Sequence, residues 1–178
     1  MCRGILCHKA ASDVAHHSVA LEDVQERREV KKIPNGMALH EYVNLYFNPR
    51  NPMMYLRREK YMEICVLSIS PDVLSIPGAV VSDMNAARDY AGFFDPLRDL
   101  DKLDFDSIYL KNWDHPEPYK KYMLKGKLCA EALIPIMVDF RYVQSAYMAS
   151  SLVQEKLQSF GFNKPIYIYS DMFFRGEQ

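Results

Sequence analysis

Two ionisable residues of this chain sit where a charge is costly or its placement is fixed. Glu131 lies in the apolar run Cys129-Ala130-Glu131-Ala132-Leu133-Ile134. Read as a strand over 127–134, the segment alternates: Leu128, Ala130, Ala132 and Ile134 face one way, Cys129, Glu131 and Leu133 the other. An ionised carboxylate between a thiol and a leucine needs compensation, so Glu131 lines a cleft, meets an arginine or has a raised pKa. The competing reading is a sheet-edge glutamate paired with a lysine. Arg50 lies in Asn48-Pro49-Arg50-Asn51-Pro52. Each proline fixes its own φ and drives the preceding residue out of the helical region, so Asn48 and Asn51 are extended and Arg50 is presented on a stiff loop. Such a loop suits an anion clamp; the plainer alternative is a surface arginine in a well-made turn.

The elements that must position these residues are strands and short helices. Tyr42 to Phe47 is aromatic and branched enough for a strand, Ile64 to Ile69 reads as a strand buried on both faces, and Ala79-Val80-Val81 as a shorter one. Ile166 to Tyr169 alternates as a final strand, with Met172-Phe173-Phe174 closing the sheet. From Leu21 to Lys32, acids precede bases and Pro34-Asn35-Gly36 comes next, which predicts a polar surface helix. Capping residues at Ser82, Asp83 and Asn85 predict a helix running toward Phe93-Phe94. Val143, Ala146, Tyr147, Ser150, Val153, Leu157 and Phe160 recur at helical spacing, predicting a helix over 143–160 stopped by Gly161. Between Tyr109 and Pro118 lies an exposed, shaped loop with the chain's one tryptophan, Trp113, and His115.

The chain has 178 residues, enough for one domain with a hydrophobic core, and a net charge of −1, so nothing global advertises nucleic acid. Three local basic groups stand out: Arg27-Arg28 with Lys31-Lys32, Arg57-Arg58 with Lys60, and Lys120-Lys121 with Lys125 and Lys127. Each alone reads as a solvated face. Four cysteines, Cys2, Cys7, Cys65 and Cys129, are scattered without disulfide or zinc spacing, so no metal is expected; His16-His17 falls in a polar loop. With no long apolar run and no leader-like start, the expectation is a soluble cytoplasmic protein that does not engage membrane.

Taken in order, the motifs resemble a known family. His40-Glu41-Tyr42-Val43 through Tyr46-Phe47-Asn48-Pro49-Arg50-Asn51-Pro52-Met53-Met54-Tyr55 is similar to the tyrosine-phenylalanine-x-proline-arginine-x-proline-methionine signature of the DarT family of bacterial DNA ADP-ribosyltransferase toxins. Gln25-Glu26-Arg27-Arg28, Ser82 to Ala87, Tyr109 to Trp113 and Ala130 to Ile134 extend the likeness collinearly. The resemblance implies an α+β fold of the ADP-ribosyltransferase type, a split mixed β-sheet with flanking helices, holding NAD as co-substrate. It makes Glu131 the catalytic glutamate, stabilising positive charge on the ribose, and Arg50 the essential arginine, either on the NAD pyrophosphate or orienting the attacking base. Tyr46, Asn48 and Tyr55 fall beside Arg50 as NAD-site residues. Tyr109, Trp113, His115, Lys120 and Lys121 are the expected contacts with single-stranded DNA, Trp113 as a stacking surface for an unpaired base. A macrodomain antitoxin is the implied partner and thymine the implied acceptor. Family members begin with a histidine-bearing strand and a short helix; here Gly4 to His8 aligns with the segment after that helix, so the expectation is one domain over 1–178, shortened at its start. Two alternatives stay open: an inactive copy that binds nucleic acid or antitoxin only, and a transferase acting on RNA or guanine.

Overall fold

The computed structural model of the chain describes residues 4–16 and 20–175. Its strands form three sheets. The largest has four strands in the order β2 (Tyr42–Tyr46), β6 (Glu131–Pro135), β4 (Val80–Ser82) and β5 (Phe93–Phe94), all neighbours antiparallel. A second joins β3 (Cys65–Ile69) antiparallel to β8 (Val143–Met148), and β8 parallel to β9 (Ile166–Ile168). The smallest pairs β1 (Gly4–Leu6) with β7 (Met137–Asp139). This is the split, mixed sheet that the family resemblance implied.

Strand β6 is central in both senses. Tyr46 of β2 and Ser82 of β4 both register against Glu131, so this residue is flanked on either side by paired backbone. Its neighbours reach three apolar clusters: Leu133 packs with Ile33, Leu39, Tyr42 and Ala86, Ala132 with Val81, Leu103 and Ile108, and Ile134 with Val43, Val73 and Val138. A strand buried on both faces reads as a continuous apolar run, and Glu131 is its polar exception. The strand is shorter than 127–134, because Lys127 ends helix α5 (Pro118–Lys127) and Leu128 caps it. The alternation nonetheless holds where the strand exists.

Helices are short: α1 (His8–Ala11), α2 (Glu22–Glu29), α3 (Pro52–Leu56), α4 (Phe105–Ile108), α5 and α6 (Leu152–Ser159). The proline-rich turn before α3 is locally determined. Asn51 caps the helix, its Oδ1 accepting from Met53 N at 2.9 Å and Met54 N at 3.1 Å, while its Nδ2 donates to Asn48 O at 2.8 Å. Pro52 takes the first helical position, where no N–H is needed.

Four expectations fail. The predicted helix over 143–160 is two elements, β8 and α6, because β8 is the middle strand of its sheet and pairing on both edges outweighs the helical spacing of its side chains. The predicted helix after Ser82 does not form. Ser82 Oγ donates to Met84 O, Asp83 Oδ1 accepts from Gly92 N and Asn85 Oδ1 from Ala87 N, so the expected caps fold the backbone into successive turns instead. Strand β3 is half-buried along its length and not buried on both faces, because one side borders a cleft. Met172-Phe173-Phe174 joins no sheet; Ser170–Met172 is a single 3-10 turn.

Asn51→Ala is expected to lower stability by about 1–2 kcal/mol, since it deletes a helix cap and strands buried backbone donors. Urea denaturation measures it, and an unchanged midpoint refutes this account of the turn.

Candidate active site

The four-stranded and three-stranded sheets present edge strands β2 and β3 to a common cleft of about 760 Å³. Asn44 to Phe47 supply one wall and Val66 to Ile69 the other; Met53, Met54 and Arg57 of the α3 region and Val24, Gln25 and Arg28 of α2 line the remainder. The size suits a cofactor-scale ligand. Among the described lining residues the charged ones are Arg28 and Arg57, with no carboxylate.

Arg28 is the residue the sequence reading misplaced. It lies in the last turn of α2, on a mostly polar helix whose other residues are exposed or half-buried, yet it is only 4% exposed. Its Nη1 donates to both carboxylate oxygens of Glu131, at 3.2 Å and 3.1 Å, with the two side chains 5% and 0% exposed. Arg28 is thus no part of a solvated basic face. The spacing of Val24, Gln25 and Arg28, which puts them on one side of a helix, was the signal that separated it from Arg27. Arg27 stays at the surface and pairs with Asp23.

Glu131 accepts one more hydrogen bond, from the backbone N–H of Ala86 to Oε1 at 3.2 Å. That N–H is delivered by the Ser82–Ala87 turns, and Ser82 Oγ also accepts from Glu131 N at 3.3 Å. Burial pushes the Glu131 carboxyl above the ordinary carboxylate range, against the pull of Arg28 and the Ala86 N–H. Tyr46, beside Glu131 on β2 and lining the cleft, has its phenol held well above its usual range, first by burial and then by the Glu131 charge. Burial likewise pushes the Cys129 thiol up to about 12, so it packs as an apolar group and is no nucleophile.

One charged donor of the pair lacks a partner. Arg28 Nη2 is buried and unbonded among the described residues. Arg57, also on the cleft wall, forms no ion pair among them, the neighbouring Glu59 being paired with Arg58. Both guanidiniums therefore have hydrogen-bonding capacity to offer an anionic ligand.

The remaining expected site residues divide. Tyr46 and Tyr109 line the cleft. Asn48 is buried with its amide occupied, Nδ2 donating to Ile108 O and Oδ1 accepting from Arg50 N, each at 2.8 Å. Arg50 is outside the cleft lining; its Nη1 donates to Asp171 O and Phe173 O at 3.0 Å each, and its guanidinium lies over the Phe174 ring at 4.0 Å. Tyr55 and Trp113 form a ring cluster with Phe174. His115 Nδ1 accepts from Glu117 N, while Lys120 pairs with Glu117 and Lys121 with Asp114 on an exposed face. No cluster of metal-ligating side chains occurs among the described residues, where Cys2 and His17 are not included. No helix among them is long and apolar enough to cross a membrane.

A central carboxylate lies at the junction of two antiparallel pairings, beside a cleft between split sheets, and comparison with known proteins shows the class to which this arrangement belongs. The profile of the DarT family, described as ssDNA thymidine ADP-ribosyltransferase, matches residues 2–174, and the chain belongs to that family. A DNA ADP-ribosyl transferase of Thermus sp. (strain 2.9) is 30% identical over 165 residues, covering 86% of this chain and 76% of the relative. The solved structure of Thermus sp. 2.9 DarT in complex with ADP-ribosylated ssDNA superimposes with a TM-score of 0.83 at 27% identity, covering 97% of this chain and 88% of that one. The same Thermus protein in complex with carba-NAD+ gives 0.77 at 25% identity, with 97% and 89% covered. A DNA ADP-ribosyl transferase-DNA ADP-ribosyl glycohydrolase fusion protein of Thermosipho africanus is 24% identical over 95% of this chain, which spans only 44% of that fusion.

Removing one partner of a buried pair leaves an uncompensated charge, so Arg28→Ala is expected to cost about 3–5 kcal/mol. The paired replacement Arg28→Met with Glu131→Gln recovers most of that loss. A denaturant double-mutant cycle that finds the two sites additive contradicts the pairing.

Proposed function

We propose that this protein transfers ADP-ribose from NAD to a thymine base of single-stranded DNA and releases nicotinamide. The observation that carries the reading is Glu131, sealed beneath the cleft by Arg28 and the Ala86 N–H, in a chain that belongs to the DarT family. In the reaction the bond between the ribose anomeric carbon and the nicotinamide nitrogen breaks, and a bond from that carbon to a thymine ring nitrogen forms. The proton of that ring nitrogen leaves. Positive charge builds on the ribose as nicotinamide departs, and the Glu131 carboxylate stabilises it while holding a ribose hydroxyl.

Glu131 is fully buried, so a ribose hydroxyl gains it by replacing one of the Arg28 contacts. Arg28 then has two donor groups for the ligand, and its unpaired Nη2 is placed for an acceptor on the substrate. Arg57, on the same wall as Met53 and Met54, is the group we assign to the pyrophosphate. Arg50 is given no bond to NAD in this scheme, because its Nη1 is already engaged by two carbonyls. Tyr109 at the rim and Trp113 in the same loop are assigned to the DNA strand. The Thermosipho fusion, which joins transferase and glycohydrolase in one chain, supports a toxin-antitoxin role for this protein, with a macrodomain glycohydrolase as the counterpart that removes the modification.

The test is incubation with labelled NAD and single-stranded oligonucleotides, followed by mass spectrometry of the DNA. The expected result is one ADP-ribose per modified thymine, and a loss of at least about 100-fold in Glu131→Gln. Equal transfer by the variant removes Glu131 from the mechanism, and adducts on RNA or on guanine reassign the acceptor. The charge on Glu131 also predicts a pH profile. Activity requires the ionised carboxylate, and burial raises its pKa, so the rate falls with acidification at a pH above the usual carboxylate range. An acid limb at the value of an exposed glutamate, in NAD-saturated turnover, contradicts this.

A further inference from the structure

Beyond β9 the chain makes its 3-10 turn at Ser170–Met172 and then lies against the proline-rich loop. Arg50 holds both the backbone and the side chain of this segment, through the Asp171 and Phe173 carbonyls and through the face of Phe174. Phe173 is buried, and Met172 lines the cleft that Tyr109 also lines. The segment and the 109–117 loop therefore each contribute one residue, Met172 and Tyr109, to the cleft lining.

Trp113 sits where they meet. Its ring contacts among the described residues are Tyr55, at 5.5 Å and 81° between planes, and Phe174, at 5.6 Å and 71°. Phe174 and Tyr55 close the triangle at 5.3 Å and 89°. All three contacts are edge-to-face. They fix the plane of the indole without laying a parallel ring on it, and a flat face held at a set angle is what an unpaired base needs for stacking. Trp113 has no regular secondary structure around it to do this, since the loop from Leu110 to Pro116 contains neither helix nor strand.

We propose that Phe174 is a positioning residue for the DNA strand: latched by Arg50, it orients Trp113, four residues along the loop from the cleft-lining Tyr109. The proposal rests on the reading of the cleft as a single-stranded DNA site. It also accounts for the rigidity of Asn48-Pro49-Arg50-Asn51-Pro52, whose guanidinium serves as the anchor of the latch.

The experiment compares the full chain with Phe174→Ala and Phe174→Tyr. Binding of a fluorescein-labelled single-stranded oligonucleotide is followed by anisotropy, NAD binding by calorimetry, and the environment of Trp113, the chain's one tryptophan, by acrylamide quenching of its emission. Phe174→Ala is expected to weaken DNA binding about tenfold, increase quenching, and leave NAD affinity within about twofold, while Phe174→Tyr restores both DNA binding and quenching. DNA binding unchanged in Phe174→Ala overturns the proposal, as does a fall in DNA and NAD affinity together, which marks general damage to the cleft. If Phe174→Ala does not fold, Phe174→Leu keeps the bulk without the ring and serves in its place. None of these readouts uses turnover. A chain that binds DNA through Phe174 yet transfers nothing removes the transferase reading and leaves this one standing, whereas a chain that binds no single-stranded DNA overturns the proposal.

Discussion

The buried ion pair between Arg28 and Glu131 is the constraint on which the structure turns. Taking a guanidinium and a carboxylate out of water is expensive, and their mutual attraction offsets this only with close geometry and extra hydrogen bonds. The fold meets those terms from three directions. Strand β6 carries the carboxylate between two paired neighbours, α2 delivers the guanidinium at its last turn, and the turns after β4 add the Ala86 N–H. Even so the pair is incompletely satisfied, with Arg28 Nη2 left over. An unfilled donor beside a binding cleft is the kind of local cost that function retains and that stability alone would remove.

Splitting the sheet creates the cleft. Strands β2 and β3 are each at the edge of their own sheet, and an exposed edge normally invites unwanted pairing. Here both edges border a shared apolar cavity, with helices α2 and α3 beside it, so the liability becomes a binding wall. The proline-rich loop between β2 and α3 is rigid for a related reason. Its two asparagines spend their amides on the backbone, Asn51 as a cap and Asn48 as a bridge to Ile108, and this locks the direction in which Arg50 points.

Much of the site was legible because its residues break a local rule. Glu131 is a charge in a strand whose other members are apolar, and its need for compensation came from that alone. Arg50 between prolines announced a stiff turn. Arg28 did not announce itself, since it is one base among several on a polar helix, and burial depends on what the rest of the chain lays against that helix. Arg57 was hidden in the same way inside a basic triplet. The helix expected over 143–160 failed for a converse reason: its side-chain spacing fits a helix, but two strands far apart in sequence, β3 and β9, compete for its backbone. Ser82, Asp83 and Asn85 kept their chemistry and changed their product, bonding nearby backbone to make turns where caps were expected.

By itself the sequence determined what depends on neighbours along the chain: the strand alternation around Glu131, the proline-locked loop with its Asn51 cap, the stop at Gly161, whose φ of 82° suits glycine, and the collinear motifs of the DarT family. Only the tertiary structure decided which arginine meets the carboxylate. Local geometry makes a residue available, but partner choice between groups 103 positions apart is set by how sheets and helices pack, because the energy of a buried charge depends on everything that excludes water from it. The same packing turned Arg50 from a free cation into the anchor of a distant segment.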